Sequence, residues 1–404
     1  MSCWTRDGRL ALARESKLPI AVIALGVVSL LTDISSDMIF PLLPAFLAAR
    51  MGAAPVLLGA MEGIADLISS AFKLWSGRWA DRAQRLRPMV VGGYALASIA
   101  RPFMAFVNQW WQPILIRSLD RVGKGLRTSP RDAMIAGWVK EGERGKAFGF
   151  HRAMDNGGAA LGSLAAALLV GLGIQVERIF LIAAIPGLVS LLGLAFVREP
   201  PIVRVPAVSL SLAPVPRRLF AYLGPVALFG LANSTDAFLL LKLTELKAPA
   251  SLLPLAWLLL QGVKAMISYP AGRVADRIGS SKVVIAGWTL YAISYVGLAF
   301  AGSIPVALGV IGFYGLYHGF AEGAERALLA DLAPAEVRGR AFGLYHAMSG
   351  VSSLLAGLLF GALWNWGSSR LAFLCAGSLA LLSVVLLVAL LPVAQRITTS
   401  PSAA

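Results

Sequence analysis

The sequence has few of the side chains that bind metals or carry redox chemistry. Only two cysteines and three histidines occur among its 404 residues. Cys3 precedes the first apolar segment and Cys375 lies inside the last one, so we expect no disulfide between them. The histidines are too few for a clustered metal-transport site. The sequence therefore predicts no redox centre, no bound metal and no cofactor.

Charged residues are also scarce. They make up 14% of the chain, whereas about a quarter of the residues in an ordinary soluble domain are charged. Hydrophobic residues make up 57% and the mean hydropathy is +0.74, so lipid must surround most of the chain. We therefore expect an all-α polytopic membrane protein and not a soluble enzyme.

Apolar stretches follow one another along almost the whole chain. A transmembrane helix needs roughly 20 mostly apolar residues, and the sequence accommodates twelve such segments. We predict transmembrane helices at 19–49, 55–80, 88–107, 110–138, 142–170, 175–197, 218–245, 250–275, 282–301, 305–331, 335–366 and 369–392.

A proline-rich segment, 198–217, separates the sixth span from the seventh. It contains five prolines and cannot form a continuous helix, which indicates a linker. The predicted organisation is a cytoplasmic N-terminus (1–18), an N-terminal six-helix bundle (19–197), the cytoplasmic linker (198–217), a C-terminal six-helix bundle (218–392) and a cytoplasmic tail (393–404).

The basic residues are spread over alternate loops. The chain has a net charge of +15, but its lysines and arginines do not form one basic surface of the kind that binds nucleic acid. They recur at 78–87, 140–146, 198–218, 273–282 and 338–340. Loops rich in lysine and arginine remain on the cytoplasmic side of a membrane. The pattern predicts a multi-pass protein of the cell inner membrane with both termini in the cytoplasm.

Two short segments occur twice at nearly the same offset. Residues 77–82 (GRWADR) recur as 272–277 (GRVADR), 195 positions later. Residues 144–149 (RGKAFG) recur as 338–343 (RGRAFG), 194 positions later. Both repeats fall on the predicted cytoplasmic side, so the two halves run parallel to each other and are pseudo-symmetric.

The two Gly-x-x-x-Asp-Arg segments resemble the signature loop of the major facilitator superfamily. The first copy departs from the family pattern at Gln84, where a second glycine is usual. The second keeps Gly279 but has Ser280 and Ser281 where basic residues are common. The resemblance covers essentially the whole chain and implies a transporter with two six-helix bundles around a central cavity. It further implies that spans 1, 4, 7 and 10 line this cavity, which opens alternately to each side.

The resemblance also implies a cytoplasmic gate. The residues that match the signature loop are Gly77, Asp81, Arg82, Gly272, Asp276 and Arg277, and their contacts would stabilise the state closed on the cytoplasmic side. Arg131 and Asp132 lie at the cytoplasmic end of span 4 and are expected to join this network. The alternative is that these arginines only set the membrane topology.

Four cations within span 4 share one helix face. Arg117, Arg121, Lys124 and Arg131 are spaced four, three and seven residues apart, which places them on one stripe of a helix. Charged groups inside a membrane are costly unless they are paired or hydrated. The stripe therefore faces water or protein, and we interpret Arg117, Arg121 and Lys124 as candidates for substrate binding.

Span 10 carries the corresponding residues of the second half. His318, Glu322 and Glu325 are also spaced four and three residues apart, and the repeat offset aligns His318 with Lys124. A basic wall on one half would then oppose an acidic wall on the other. Either the cavity binds an anionic or zwitterionic solute while a carboxylate of span 10 exchanges protons, or the two walls neutralise each other.

Three further carboxylates are candidates for proton coupling. Asp37 in span 1 and Asp236 in span 7 are repeat mates, and Asp155 stands one helical turn from His151. Burial disfavours the charged form of a carboxylate, so such groups can exchange protons with a gradient. The competing interpretation is that each carboxylate only pairs with a neighbouring cation.

These observations predict a monomeric secondary transporter for a small-molecule substrate. We expect proton-coupled antiport, with efflux of a small organic anion or zwitterion, driven by the proton gradient. The antiport assignment follows from the family resemblance more than from any residue. A polyspecific pump for cationic drugs and a membrane sensor without transport are the alternatives. The sequence has no nucleotide-binding motif and no cluster of nucleophile and base, which argues against ATP-driven transport and against an enzyme.

Overall fold

The computed structural model describes residues 18–52, 55–80, 85–139, 144–200, 216, 219–333 and 338–395. Within these ranges the chain is almost entirely helical. The predicted N-terminus, most of the predicted linker and the end of the predicted tail lie outside the described residues. The last helix runs to Gln395 and so enters the segment that the sequence assigns to the tail.

Twelve helical segments account for the described part of the chain. In the N-terminal half they are α1 Ile20–Met51, α2 Pro55–Ala80, α3 Arg87–Phe106, α4 Trp111–Trp138, α5 Arg144–Gly171 and α6 Val176–Phe196. In the C-terminal half they are α7 Phe220–Glu245, α8 Leu252–Ile278, α9 Ser280–Phe300, α10 Ile304–Leu332, α11 Arg338–Trp366 and α12 Ser369–Gln395. Each overlaps one predicted span, so the expected all-α membrane fold with two six-helix bundles is confirmed.

Ten of the described segments are long and apolar enough to cross a membrane by themselves. The two exceptions are α4 and α8, which carry the cations Arg117, Arg121, Lys124 and Lys264. Since charged groups are excluded from lipid, the faces of these two helices that carry the cations must contact protein or water.

The described helices alternate in direction, so their ends lie at one of two sides of the bundle. Helix α1 begins, and α2, α4, α6, α8, α10 and α12 end, at the side that we call the basic end. The opposite side, where α1, α3, α5, α7, α9 and α11 end, is the far end.

Besides α6, which breaks at Ala183, and α3, which ends in the 3-10 segment Arg101–Phe106, two described helices, α1 and α7, are interrupted. In α1 a 3-10 turn, Phe40–Leu42, separates Ile20–Ile39 from Leu43–Met51, and Pro41 lies within it. In α7 the helix stops at Ala232 and resumes at Ala237. Each interruption leaves a separate outer helix at the far end.

The far end is closed by these outer helices. Leu43–Met51 of α1 packs against Ala237–Glu245 of α7. Their buried side chains, among them Phe46 and Phe238, belong to one continuous apolar core that spans both halves.

The two halves also meet along α2 and α11, and along α5 and α8. Gly59 of α2 and Gly357 of α11 face each other with their backbones in contact, since a Cβ atom on either glycine would overlap the carbonyl group of the other. Small residues allow helices to approach this closely inside a membrane.

We expect Gly59→Ala to destabilise the protein, because the added methyl group would push α2 away from α11. Overpacking of this kind costs about 1–3 kcal/mol, so the thermal unfolding midpoint of the purified protein in detergent should fall by several degrees. Gly309→Ala in α10 is the matched control, since no described atom lies within 4 Å of its added Cβ. Equal midpoints for the two variants would contradict the close contact between α2 and α11.

Candidate substrate cavity

A polar cavity lies between the two halves. It consists of two chambers of about 930 Å³ and about 580 Å³. Lys124, Asn156, Asn233, Gln261 and His318 border both chambers, so the chambers open into each other. Volumes of this size suit small organic molecules.

The larger chamber extends toward the basic end. Its lining includes Ala271 in α8, Ser280 at the start of α9 and Ala327 in α10. Lys124 and Arg152 are exposed although they lie deep in the bundle. Water therefore reaches the middle of the protein from the basic end, while the far end is closed.

Arg117 of the α4 stripe is paired within its own half. Its Nε and Nη2 atoms donate to the two carboxylate oxygens of Glu62 in α2 at 2.8 and 3.0 Å. Nη2 of Arg121 lies 3.8 Å from the same carboxylate. Arg117 and Glu62 are 7% and 3% exposed, so this ion pair is buried and shielded from salt. A two-point arginine–carboxylate pair is among the stronger polar contacts in proteins.

A second buried ion pair extends this network away from the cavity. Nε of Arg101 donates to Oδ1 of Asp120 at 2.8 Å, and its Nη1 donates to the backbone carbonyl of Thr32 at 2.8 Å. Nη1 of Arg117 lies 3.5 Å from Oδ2 of Asp120. The network links α1, α2, α3 and α4 and fixes the position of Arg117.

Three other cations of the N-terminal half face the cavity without such partners. Lys73 in α2, Lys124 in α4 and Arg152 in α5 line the smaller chamber, and all three are exposed. No described side chain forms an ion pair or hydrogen bond with the charged group of any of them. The stripe in α4 therefore divides into buried, paired arginines and an exposed lysine at the cavity surface.

In the C-terminal half, Asp236 lies at the interruption of α7. It accepts hydrogen bonds from Nζ of Lys264 at 2.8 Å and from the hydroxyl group of Tyr314 at 2.7 Å. Nε2 of His318 lies 3.5 Å from the same carboxylate. Two predicted residues, Asp236 and His318, are thus brought together around a lysine from α8.

Hydroxyl and amide groups support the interruption of α7. Tyr291 donates to the backbone carbonyl of Ala232 at 2.6 Å, and Nδ2 of Asn233 donates to the hydroxyl group of Tyr317 at 3.0 Å. Ser234 and Tyr295 share a further hydrogen bond. The first bond satisfies a backbone carbonyl that the missing helical turn leaves open, and the other two hold side chains of the interrupted segment.

Asp37 connects the two halves. Its Oδ1 atom accepts a hydrogen bond from Nε1 of Trp257 in α8 at 2.7 Å. The indole ring also packs against Phe40 of α1, with the ring centroids 4.7 Å apart. Asp37, Asp236 and Trp257 all line the smaller chamber, so the two predicted repeat mates border one space.

The remaining predicted carboxylates have separate environments. Asp155 accepts a hydrogen bond from Ser29, and Nδ1 of His151 lies 3.4 Å from it. Glu325 is buried and accepts hydrogen bonds from Nε1 of Trp288 at 2.7 Å and from the hydroxyl group of Tyr345 at 2.9 Å. Glu325 thus lies in a network within its own half. The side chain of Glu322 lies outside the described residues.

The predicted gate is described only in part. Gly77 lies in α2 close to Ser129 of α4, and Arg131 pairs with the adjacent Asp132, with Nε and Oδ1 3.1 Å apart. Arg277 is exposed at the end of α8. Asp81 and Arg82 lie outside the described residues. The same holds for the side chain of Asp276, which follows Gly272 by one helical turn in α8. The gating role of these residues stays a prediction.

Sequence reasoning missed Lys73, Trp257 and Lys264. Lys264 carries a signal that could have been used, because a lysine inside an apolar span requires a partner. Trp257 carries none, since a tryptophan near the end of a span is usually an interfacial anchor.

Comparison with other proteins identifies the family. A profile of the Major Facilitator Superfamily matches residues 25–263 and 226–404. The uncharacterized MFS-type transporter MJ1317 of Methanocaldococcus jannaschii is 31% identical over 382 residues, which cover 92% of this chain and 95% of the relative. The multidrug resistance protein MdtH of Photorhabdus laumondii is 24% identical over 333 residues, which cover 78% and 79% of the two chains.

Solved structures show the same architecture. A mutant of the nucleoside transporter NupG superposes with a TM-score of 0.78 at 13% identity, covering 92% of this chain and 99% of NupG. A bacterial homologue of the human lysosomal transporter Spinster, in an inward-facing and occupied conformation, gives 0.77 at 15% identity, covering 95% and 98%. At these identities the likeness concerns the fold alone. The profile match and the similarity to MJ1317 show that this chain belongs to the Major Facilitator Superfamily of membrane transporters.

Proposed function

We propose that this transporter exports a small organic anion or zwitterion by proton-coupled antiport and alternating access. The observation that carries this proposal is the set of exposed cations Lys73, Lys124 and Arg152 on one wall of the cavity. Each can donate to a solute without first breaking an ion pair with a described side chain. A carboxylate or phosphate group would meet these donors at the middle of the bundle.

Three carboxylates that line the cavity already accept hydrogen bonds and are less available to a cationic solute. Asp37 accepts from Trp257, Asp66 accepts from Ser353, and Asp236 is held by Lys264 and Tyr314. A cation would have to displace these donors before it could pair with the carboxylate. This difference favours anions and zwitterions over cations.

Efflux of cationic drugs is the second candidate. It is supported by the similarity to the multidrug resistance protein MdtH over most of the chain. In that case Asp37 or Asp236 would attract the drug, and aromatic side chains such as Phe229 and Tyr317 at the larger chamber would contact its apolar part.

Of the repeat mates Asp37 and Asp236, we assign proton coupling to Asp37. Its hydrogen-bond donor, Trp257, is neutral, whereas Asp236 pairs with the charged Lys264. A proton can join Asp37 without breaking an ion pair of this kind. Asp37 also contacts the other half of the protein, so a change in its charge acts on the relative position of the halves.

We place the basic end in the cytoplasm, because loops rich in lysine and arginine remain on that side of the inner membrane. The cavity that opens to the basic end would then face inward. Substrate would enter from the cytoplasm and leave when the far end opens.

A cysteine-labelling experiment tests this orientation, with Cys3 and Cys375 replaced by alanine. A membrane-impermeant maleimide should label Ser303→Cys, at the exposed far end, in intact cells. It should label Lys282→Cys, at the start of α9 on the basic end, only after the membrane is permeabilised. The reverse pattern would contradict a cytoplasmic basic end.

We expect Lys124→Gln to weaken the binding of an anionic substrate. Removal of one charged donor costs roughly tenfold in affinity, so KM for an anionic substrate should rise. Counterflow assays in proteoliposomes, with labelled organic anions, zwitterions and cations in turn, measure this KM. Lys282→Gln, an exposed lysine of the same end outside the cavity lining, is the control. Transport of cations alone, with affinity increased by Lys124→Gln, would support the drug pump instead.

We expect Asp37→Asn to abolish substrate-induced proton release in inverted membrane vesicles, measured with a pH-sensitive dye. The amide cannot exchange a proton, yet it preserves the shape of the side chain, so counterflow exchange of substrate should continue. Asp331→Asn near the end of α10, exposed outside the cavity lining, should release protons like the wild type. Full proton release by Asp37→Asn would exclude Asp37 as the coupling carboxylate.

A further inference from the structure

Each of the two helices that close the far end begins next to a carboxylate. In α1, Asp37 lies one turn before the 3-10 segment that leads into Leu43–Met51. In α7, Asp236 is the residue immediately before Ala237–Glu245. Asp37 and Asp236 therefore stand at the base of the two outer helices.

One helix, α8, binds both carboxylates. Nε1 of Trp257 donates to Asp37 at 2.7 Å, and Nζ of Lys264 donates to Asp236 at 2.8 Å. The two donors are seven residues apart, which places them on the same face of α8 two turns from each other. The outer helices of both halves are thus attached to a single helix of the C-terminal half.

The indole ring of Trp257 is held on several sides. Its ring centroid lies 4.7 Å from that of Phe40 and 5.5 Å from Nζ of Lys264. The side chain is buried, so few water molecules compete with Asp37 for its N–H group. Trp257 thereby connects Asp37 to the ion pair between Lys264 and Asp236.

The hydrogen bond between Trp257 and Asp37 crosses from one half to the other. Asp37 belongs to the N-terminal bundle and Trp257 to the C-terminal bundle. Alternating access requires the halves to separate at the far end, and this 2.7 Å contact must break when they do. It therefore stabilises only the conformation in which the far end is closed.

We infer that Trp257 is a positioning residue of the transport cycle, whose indole N–H holds Asp37 across the two halves and keeps the far end closed. The inference deepens the proposed function by naming a group that holds the far end closed. It rests on alternating access, one part of that proposed function, and stands or falls independently of the substrate class and of proton coupling.

Distances between spin labels at the far end test this inference without substrate or gradient. Labels are placed at Gln109→Cys and Ser303→Cys, both exposed at the far end, in protein that lacks Cys3 and Cys375 and is reconstituted in nanodiscs. Trp257→Phe keeps an aromatic ring beside Phe40 but removes the N–H donor. Loss of this charge-assisted bond should raise the ratio of far-end-open to far-end-closed protein roughly tenfold.

Trp364→Phe in α11 is the matched control. It makes the same change near the far end, in a tryptophan that packs against Phe238, Phe360 and Phe373 of its own half. This variant should keep the wild-type distance distribution. An unchanged distribution in Trp257→Phe, or an equal shift in both variants, would overturn the inference.

Combination with Asp37→Asn separates a specific contact from a general loss of packing. The amide oxygen still accepts from Trp257, but a neutral hydrogen bond is weaker, so Asp37→Asn alone should give a smaller shift. The double variant should shift no further than Trp257→Phe, because both changes remove the same contact. Additive shifts would show that the two residues act independently and would refute the assignment.

Discussion

The cost of placing charged side chains inside a membrane determines how this protein is built. Such groups must be paired or hydrated, and the two halves meet this requirement differently. The N-terminal half buries Arg117 against Glu62, whereas the C-terminal half holds Lys264 against Asp236 at the edge of the cavity. Helices α4 and α8 turn the faces that carry these cations away from lipid, and these faces form walls of a hydrated passage.

Much of the fold could be predicted from the sequence because its signals are local or periodic. Apolar runs of sufficient length indicate spans, and the repeated segments 77–82 and 272–277 indicate two parallel halves. The stripe of cations in α4 follows from helical periodicity alone. The interruption of α7 was not predicted, since residues 233–236 contain neither proline nor glycine and the break depends on tyrosines from α9 and α10.

The partners of the charged residues could not be predicted in the same way. A repeat offset shows which residues occupy equivalent helices, and it suggested a basic wall facing an acidic wall. The structure pairs Arg117 with a carboxylate of its own half instead, and Glu325 lies in a hydrogen-bonded network with Trp288 and Tyr345. Periodicity assigns a side chain to a face of its helix, but only the packing of neighbouring helices decides what that face meets.

The interruption of α7 has a mechanical consequence. A continuous helix transmits tilt along its whole length, whereas the four residues between Ala232 and Ala237 contain no complete helical turn. Ala237–Glu245 can therefore tilt as a rod of its own while Phe220–Ala232 stays packed against α11 and α12. Side-chain hydrogen bonds, and not backbone stiffness, set the angle between the two rods, so an opening of the far end would require no bending of an intact helix.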